Sequence, residues 1–362
     1  MPEGSVSIKA ALARQDDLLP GVSRTFALTI PQLPEPLATV VTNAYLLCRI
    51  ADTIEDDVGL TAADKTRFHN QFVAVVAGQG SAQDFAARLA PLLSRQTLAA
   101  ERDLVADTAA VVQLTEEFPA GERAALERCV RIMCQGMPEF QRNNTAHGLG
   151  NIQDLSRYCY FVAGVVGEML TDLFCLHASD IARSRDALAP LAVSFGQGLQ
   201  MTNILKDVWE DQQAGTCWLP RSVFGGADLA GLRSMSDSPE FHAGMEELIG
   251  IAHRHLRYAM DYSCAIPRAH RGIRRFCFWA VGMAILTLRR IHGSLPFTSG
   301  AEVKISRRAV KTTVGLTNLF LDSNWMLNRL FGFAAQGVPL ASRQETKPEA
   351  APEAHPFIGD AV

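Results

Sequence analysis

The sequence predicts an all-α protein, a single helical bundle around a deep apolar cavity. No segment alternates apolar and polar residues with a period of two for long enough to suggest a sheet. Apolar residues recur instead at helical spacing along most of the chain. Of the 362 residues, 48% are apolar, enough for a large core, although single cores usually stop growing at roughly 250–300 residues. One domain over residues 1–340 is expected, with a disordered tail at 341–362 where Pro, Ala and Glu dominate.

A net charge of −4 gives no reason to expect nucleic acid as a partner; small molecules and lipid fit better. The eight cysteines form no Cys-x-x-Cys pair and sit mostly in apolar helical patterns, as reduced core cysteines of a cytoplasmic protein do. The N-terminus has no long apolar run, so no signal peptide is expected.

Residues 5–17 carry a short amphipathic pattern, and Pro20 marks a break before Ser23, a candidate N-cap for the next helix. The prolines at 31, 34 and 36 interrupt that helix. Residues 37–54 then read as a buried central helix, apolar nearly all round. It runs into Asp52 and Asp56, one helical turn apart, with Arg49 and Tyr45 on the same face. Gly59 ends this unit. The stretches 61–77, 82–90 and 98–118 are amphipathic and read as packing helices. Residues 122–144 form another, kinked or broken near Pro138.

After the turn at Gly148 to Gly150, Asp154 or Ser156 is expected to cap a helix containing Tyr158, Ala163, Gly164 and Gly167. A mid-helix glycine costs about 1 kcal/mol relative to alanine. Either a neighbouring helix packs unusually close here, or a substrate does. In an ideal helix Tyr158 and Ala163 would project roughly 140° apart, so a bend is needed if both line one cavity.

The next long helix, 190–213, repeats the acidic device: Asp207 and Asp211 are one turn apart, with Asn203 and Gln200 one and two turns earlier and Lys206 alongside. Like charges at i, i+4 destabilise an isolated helix by a few tenths of a kcal/mol, and a hard divalent cation would supply a reason for them. Mg²⁺ is usually held by one or two carboxylates, waters and phosphate oxygens, so two such faces read as a metal-diphosphate clamp. A solvated acidic face is the alternative, weakened by the apolar runs 40–50 and 191–205 beside them.

Ser238 or Pro239 starts a helix over 240–266, in which His253 and His255 stand at i, i+2 and do not share a face. A helix over 268–292 follows, with a thirteen-residue uncharged run at 276–288 that is too short to cross a bilayer. Val303 to Arg308 leads into a last helix over 309–335, whose apolar residues are interrupted by Asn318, Asp322, Asn324 and Asn328. No transmembrane anchor is expected there, and peripheral membrane contact stays open.

Together, Ser23-Arg24-Thr25-Phe26, the run Asp52 to Asp57, Tyr158 to Gly167, Gln200 to Gln213, and Phe276-Cys277 with Met283-Ala284-Ile285 resemble the squalene and phytoene synthase family, and more closely its squalene synthase branch. The resemblance implies an isoprenoid-synthase-type bundle and condensation of two farnesyl diphosphates through presqualene diphosphate to squalene, with Mg²⁺ and NADPH. It implies a metal site of Asp52, Asp56, Asn203, Asp207 and Asp211, and catalytic roles for these aspartates, Arg49 and Tyr158. Substrate contacts would come from Ser23, Arg24, Phe26, Tyr45, Ala163, Gly164, Gly167, Gln200, Asn203, Lys206 and Phe276. For the two glycines it favours substrate over helix packing.

No Gly-x-Gly-x-x-Gly fingerprint is present, so NADPH binding rests on the resemblance, through Lys304, Arg307 and Arg308. Two departures stand out: Thr216 and Lys206 occupy positions where the branch commonly has arginine. The competing readings are a phytoene or dehydrosqualene synthase without reduction and a non-catalytic helical assembly factor. Retention of all four aspartates argues against the last.

Overall fold

The computed structural model describes residues 7–141 and 145–342, so residues 343–362 of the expected tail lie outside the described residues. The described chain is helical throughout, with one isolated bridge between Leu149 and Pro220. It divides into two compact units: residues 1–142 with 172–179, and 143–171 with 180–362.

The first unit contains α1 (Ile8–Val22), α2 (Arg24–Thr29), α3 (Leu37–Asp56), α4 (Ala62–Val76), α5 (Ala82–Leu89), α6 (Ala99–Ala106), α7 (Thr108–Glu117) and α8 (Ala120–Gln141). Helix α3 is its axis, packed by α1, α4, α6, α7 and α8. Fifteen of its twenty residues are buried, which is why its sequence is apolar on nearly every side. It is long and apolar enough to cross a membrane, but 78% of that stretch is buried in protein, as in a core helix. The prolines behave more mildly than expected, since α1 runs through Pro20 and α8 through Pro138.

In the second unit, α9 (Ile152–Cys159) passes through a π-helical turn, Tyr160–Gly164, into α10 (Val165–His177), whose last residues belong to the first unit. The combined span, Ile152–His177, also meets the length and apolarity of a membrane-crossing helix, and about half of it is buried. Then follow α11 (Ser179–Ala182), α12 (Arg185–Gln213), α13 (Pro239–Ala265), α14 (Arg271–Gly293), α15 (Gly300–Val303), α16 (Arg307–Phe320) and α17 (Asn324–Ala334). Helix α12 is the axis here, packed by α9, the π turn, α13, α14 and α15.

The start of α9 is set by Asn151, not by Asp154 or Ser156. Asn151 accepts from the Asp154 N–H at 3.0 Å, and the Asp154 carboxylate accepts from the Asn151 N–H at 3.3 Å, a reciprocal capping box. Ser23 and Ser238 cap α2 and α13 as expected. The last helix is broken in two because the fully buried Arg274 takes the Leu321 carbonyl, with donors at 2.9 and 3.2 Å, and Ser323 then caps α17. His253 and His255 each find a separate partner, the Pro339 carbonyl at 2.7 Å and the Ser194 hydroxyl at 3.2 Å.

The glycines have a structural reason. A Cβ on Gly167 would lie 2.0 Å from the Ala192 carbonyl oxygen, and one on Gly196 would lie 1.9 Å from that of Ala163. Both distances are far inside contact, so α12 meets the π turn and α10 backbone to backbone. Gly167→Ala and Gly196→Ala should therefore each lower stability by about 3 kcal/mol or more despite better helix propensity. Gly332→Ala, with open space around it, should raise stability by up to about 1 kcal/mol. Equal thermal shifts in all three would refute the packing account.

Burial also presses the His69 and His255 imidazoles down to about 4 from 6.5. Between these values the unfolded chain binds protons that the native histidines do not. Stability should thus be full above pH 6.5 and fall as pH drops towards 4, by up to about 3 kcal/mol per histidine. Denaturant titrations across this window should show a flatter decline for His255→Asn than for the parent protein.

Candidate active site

Helical geometry sorts the acidic run of α3 into two groups. Glu55 and Asp57 point inward, each only 2% exposed, while Asp52 and Asp56 reach solvent. Asp57 is structural: it accepts from the Gly59, Leu60 and Ser94 N–H groups at 2.8, 3.1 and 2.8 Å and from the Thr97 hydroxyl at 2.6 Å, closing the loop after α3. The backbone carbonyl of Glu55 accepts from the Lys65 ammonium.

On the open face, Tyr45, Arg49, Asp52 and Asp56 follow one another by helical turns, as the spacing required. The Arg49 guanidinium lies 3.9 Å from Asp52 and 3.7 Å from Glu101 on α6, and donates to the Tyr45 hydroxyl at 3.3 Å. Burial works against the Arg49 charge, but Asp52, Tyr45 and Asp56 outweigh it and raise its pKa, so it stays cationic. Desolvation pushes Asp52 up to about 7, opposed by Arg49 and reinforced by Asp56 and Glu101. Asp56 reaches solvent, yet the surrounding protein still raises its pKa, chiefly by desolvation.

Helix α2 joins this face. The Phe26 and Tyr45 rings are 5.0 Å apart, and the Tyr45 hydroxyl donates to the Val22 carbonyl at 3.2 Å. Ser23 is committed to capping Phe26 N–H at 3.0 Å, and Arg24 is exposed. Glu101 was not legible beforehand, because nothing in an amphipathic α6 marks one glutamate as the partner of a distant arginine.

In the second unit, α12 buries Met201, Ile204, Leu205, Val208 and Trp209. It leaves Gln200, Asn203, Asp207 and Asp211 on the accessible side. Lys206 pairs with Asp207 at 2.7 Å. Glu210 is occupied elsewhere, accepting from the Gly300 N–H at 2.9 Å. A Cβ on Gly300 would sit 3.0 Å from an Asp207 carboxylate oxygen, so this glycine lets α15 approach the acidic face. Thr216 donates through its N–H and its hydroxyl to the Asp211 carbonyl, at 2.9 and 3.1 Å, and so closes the end of the helix.

Tyr158 is 4% exposed and lies flat on Trp218, ring centroids 3.9 Å apart at 9°. The chain departs from α-helical geometry directly after it, in the π turn Tyr160–Gly164. The prenyl room expected at Gly164 and Gly167 is taken up by α12: a Cβ on Gly164 would lie 3.0 Å from Val193, and Gly167 abuts the Ala192 backbone. Phe276 is a core residue, 2% exposed.

A cavity of about 420 Å³ opens between the end of α14 and the start of α16, walled by Arg289, Arg290, Lys304, Ile305 and Ser306 among others. Arg307 and Arg308 are exposed outside that wall. The juxtaposition of Arg289 and Arg290 with Lys304 was missed, because the loop that folds one onto the other carries no sequence signal for it.

The sequence profile described as squalene/phytoene synthase matches residues 19–309. Squalene synthase BSS of Botryococcus braunii is 28% identical over 326 residues, covering 86% of this chain and 66% of that protein. Squalene synthase ERG9 of Gibberella zeae is 31% identical over 205 residues, 56% of this chain and 42% of that protein. The chain thus spans less than two thirds of the length of either. Among solved structures, TcSQS with the ligand E5700 superposes with a TM-score of 0.72 at 21% identity over 90% of both chains. A dehydrosqualene synthase in complex with ligand gives 0.59 at 22% identity, covering 87% of this chain and 98% of that one. The all-helical fold is that of these synthases.

The desolvated, repelled carboxylates predict a stability effect opposite to that of most site substitutions. Asp52→Asn should leave thermal stability in metal-free buffer level or raise it by about 1 kcal/mol, because the neutral amide avoids repulsion from Asp56 and Glu101. A large loss would show that the Arg49–Asp52 pair is a net stabiliser instead.

Proposed function

Because the chain belongs to the squalene/phytoene synthase family, we propose that it is a Mg²⁺-dependent prenyltransferase. In this reading it condenses two farnesyl diphosphates head to head through presqualene diphosphate and reduces the product to squalene with NADPH. The observation that carries this reading is the open face of α3. There Asp52 and Asp56 offer hard oxygen ligands beside Arg49, whose Nε is buried without a hydrogen-bond partner among the described residues. A buried guanidinium N–H with nothing to donate to suits a phosphate oxygen.

No three His, Cys, Asp or Glu side chains among the described residues group into a self-sufficient metal cage. Pairs of carboxylates completed by water and phosphate oxygens are the mode Mg²⁺ prefers. Asp52 and Asp56 on α3, and separately Asp207 and Asp211 with Asn203 on α12, would each offer it such a pair. When bound, the metal would neutralise the diphosphate and stabilise it as a leaving group. Arg49 donates to that same anion. Tyr158, held flat by Trp218, presents its hydroxyl from a fixed ring for the first step, and apolar surroundings keep water from cationic carbon.

NADPH would supply hydride to the second step, and its phosphates are assigned to the cavity of Lys304, Arg289 and Arg290, flanked by Arg307 and Arg308. The eight free cysteines fit a reducing, cytoplasmic location. One observation favours a second reading, a dehydrosqualene-type synthase without reduction. At Thr216 the structure has a helix-closing hydroxyl in place of the arginine that the squalene branch commonly carries.

Incubation with labelled farnesyl and geranylgeranyl diphosphates, with and without Mg²⁺ and NADPH, tests the proposal. Squalene should form only with farnesyl diphosphate, metal and NADPH together. The same hydrocarbon with and without NADPH would overturn the squalene assignment in favour of the second reading. Asp52→Asn, Asp56→Asn, Asp207→Asn and Asp211→Asn should each reduce turnover by about 100-fold or more. Near-normal rates in all four would remove the metal clamp. Lys304→Ala should lose contacts worth about 1.5–3 kcal/mol, visible as presqualene diphosphate accumulating at the expense of squalene.

A further inference from the structure

Three of the most exposed large apolar side chains lie on two consecutive helices of the second unit: Leu319 is 72%, Trp325 67% and Phe333 70% exposed. Helices α16 and α17 pack against each other, and both lie on α14. Their inward positions are Thr317, Leu327 and Phe331, all buried. The opposite side of each is therefore open. On α16 that side carries Arg308, Lys311, Leu316 and Leu319 at helical spacing, and on α17 it carries Trp325, Arg329 and Phe333, all of them exposed. The Arg329 guanidinium sits 5.7 Å from the centre of the Trp325 ring, cation and aromatic facing outward together.

Charge decides what this surface meets. Residues 303–342 contain five cations, Lys304, Arg307, Arg308, Lys311 and Arg329, and one acid, Asp322. That acid is already paired with Arg271. Exposed leucine, tryptophan and phenylalanine interleaved with arginine and lysine, with no free acid, is the composition of a helix surface that lies in a bilayer interface. Tryptophan sits at headgroup depth, and the long basic side chains reach lipid phosphates. A second copy of the chain would bring the same cations against one another, which disfavours self-association as the occupant.

We propose that the outer face of α16 and α17 docks the protein on an anionic membrane surface, with Leu319, Trp325 and Phe333 entering the interface and Arg308, Lys311 and Arg329 contacting lipid phosphate. This assignment shares only Arg308 with the reaction proposed above, and its apolar contacts, with Lys311 and Arg329, lie outside the residues that reaction uses. Trp325 reports on it directly, because Trp209, Trp218 and Trp279 are at most 7% exposed.

The test is co-sedimentation and tryptophan emission of the full chain with vesicles of phosphatidylcholine alone or with phosphatidylglycerol added. Vesicles containing phosphatidylglycerol should pellet the protein and shift its emission to the blue, and added salt should weaken both effects. Trp325→Phe should abolish the shift while retaining most of the binding. The triple variant Leu319→Ser, Trp325→Ser, Phe333→Ser should lower partitioning at least tenfold with thermal unfolding unchanged, since the three side chains are exposed. Arg308→Glu with Lys311→Glu should remove the preference for anionic lipid. An undiminished blue shift in Trp325→Phe would overturn the proposal, as would equal partitioning of the triple variant. A concentration-dependent dimer that the triple variant dissolves would assign the face to a second copy instead.

Discussion

The second unit depends on how near two backbones can come. Gly196 on α12 faces the Ala163 carbonyl and Gly167 on α10 faces the Ala192 carbonyl, each with no room for a single carbon. The contact is reciprocal, each helix supplying a glycine and receiving a carbonyl. Side chains elsewhere in a helix interface can repack, but a Cβ set against a carbonyl oxygen cannot. The axis of α12 is therefore tied to the π turn, and with it the direction of the face that carries Asp207 and Asp211. Tyr158 is fixed from the other end of the same turn by its stack on Trp218.

Electrostatics in each unit follows one pattern at different strengths. An i, i+4 pair of carboxylates is placed on a long helix and given one cation: Arg49 beside Asp52, and Lys206 beside Asp207. One cation does not neutralise two carboxylates, and in the first unit Glu101 adds a third acid within reach of Arg49. The result is a face with excess negative charge, and the repulsion from Asp56 and Glu101 adds to the desolvation that chiefly pushes Asp52 up to about 7. A site of that kind is poised to gain from a cation. Of the other acids in the same runs, Asp57 and Glu210 are absorbed by backbone N–H groups and Glu55 is buried, so on the two helices the excess is confined to one i, i+4 pair each.

What could be read from the sequence was what helical geometry alone decides. The i, i+4 spacing placed Asp52 with Asp56 and Asp207 with Asp211, and Ser23 and Ser238 announced helix starts. Features set by the approach of distant segments were not legible. Arg289 and Arg290 come to Lys304 only because of how the intervening loop folds. The glycines at 164 and 167 announced a close approach without saying to what, and the partner proved to be α12. Asn151 outcompeted Asp154 as a cap because Asp154 serves better at the third position, returning a hydrogen bond to the cap residue.

The break between α16 and α17 joins surface to core. A continuous helix over 309–335 would use the Leu321 carbonyl for its own ladder, but Arg274 takes that carbonyl with two donors. Arg274 also reaches the Ser263 and Ile266 carbonyls at 3.2 and 2.8 Å and the Asn324 side chain at 2.6 Å. Burial lowers the pKa of this guanidinium, so a site with fewer acceptors would not hold it. One buried cation thus fastens the end of α13, the start of α14 and the turn between α16 and α17. The outward layer is consequently rigid relative to the core of its own unit. Side chains such as Trp325 and Phe333 can then stay exposed without the helices beneath them rearranging to bury them, because the turn that would have to move is held by three hydrogen bonds from Arg274.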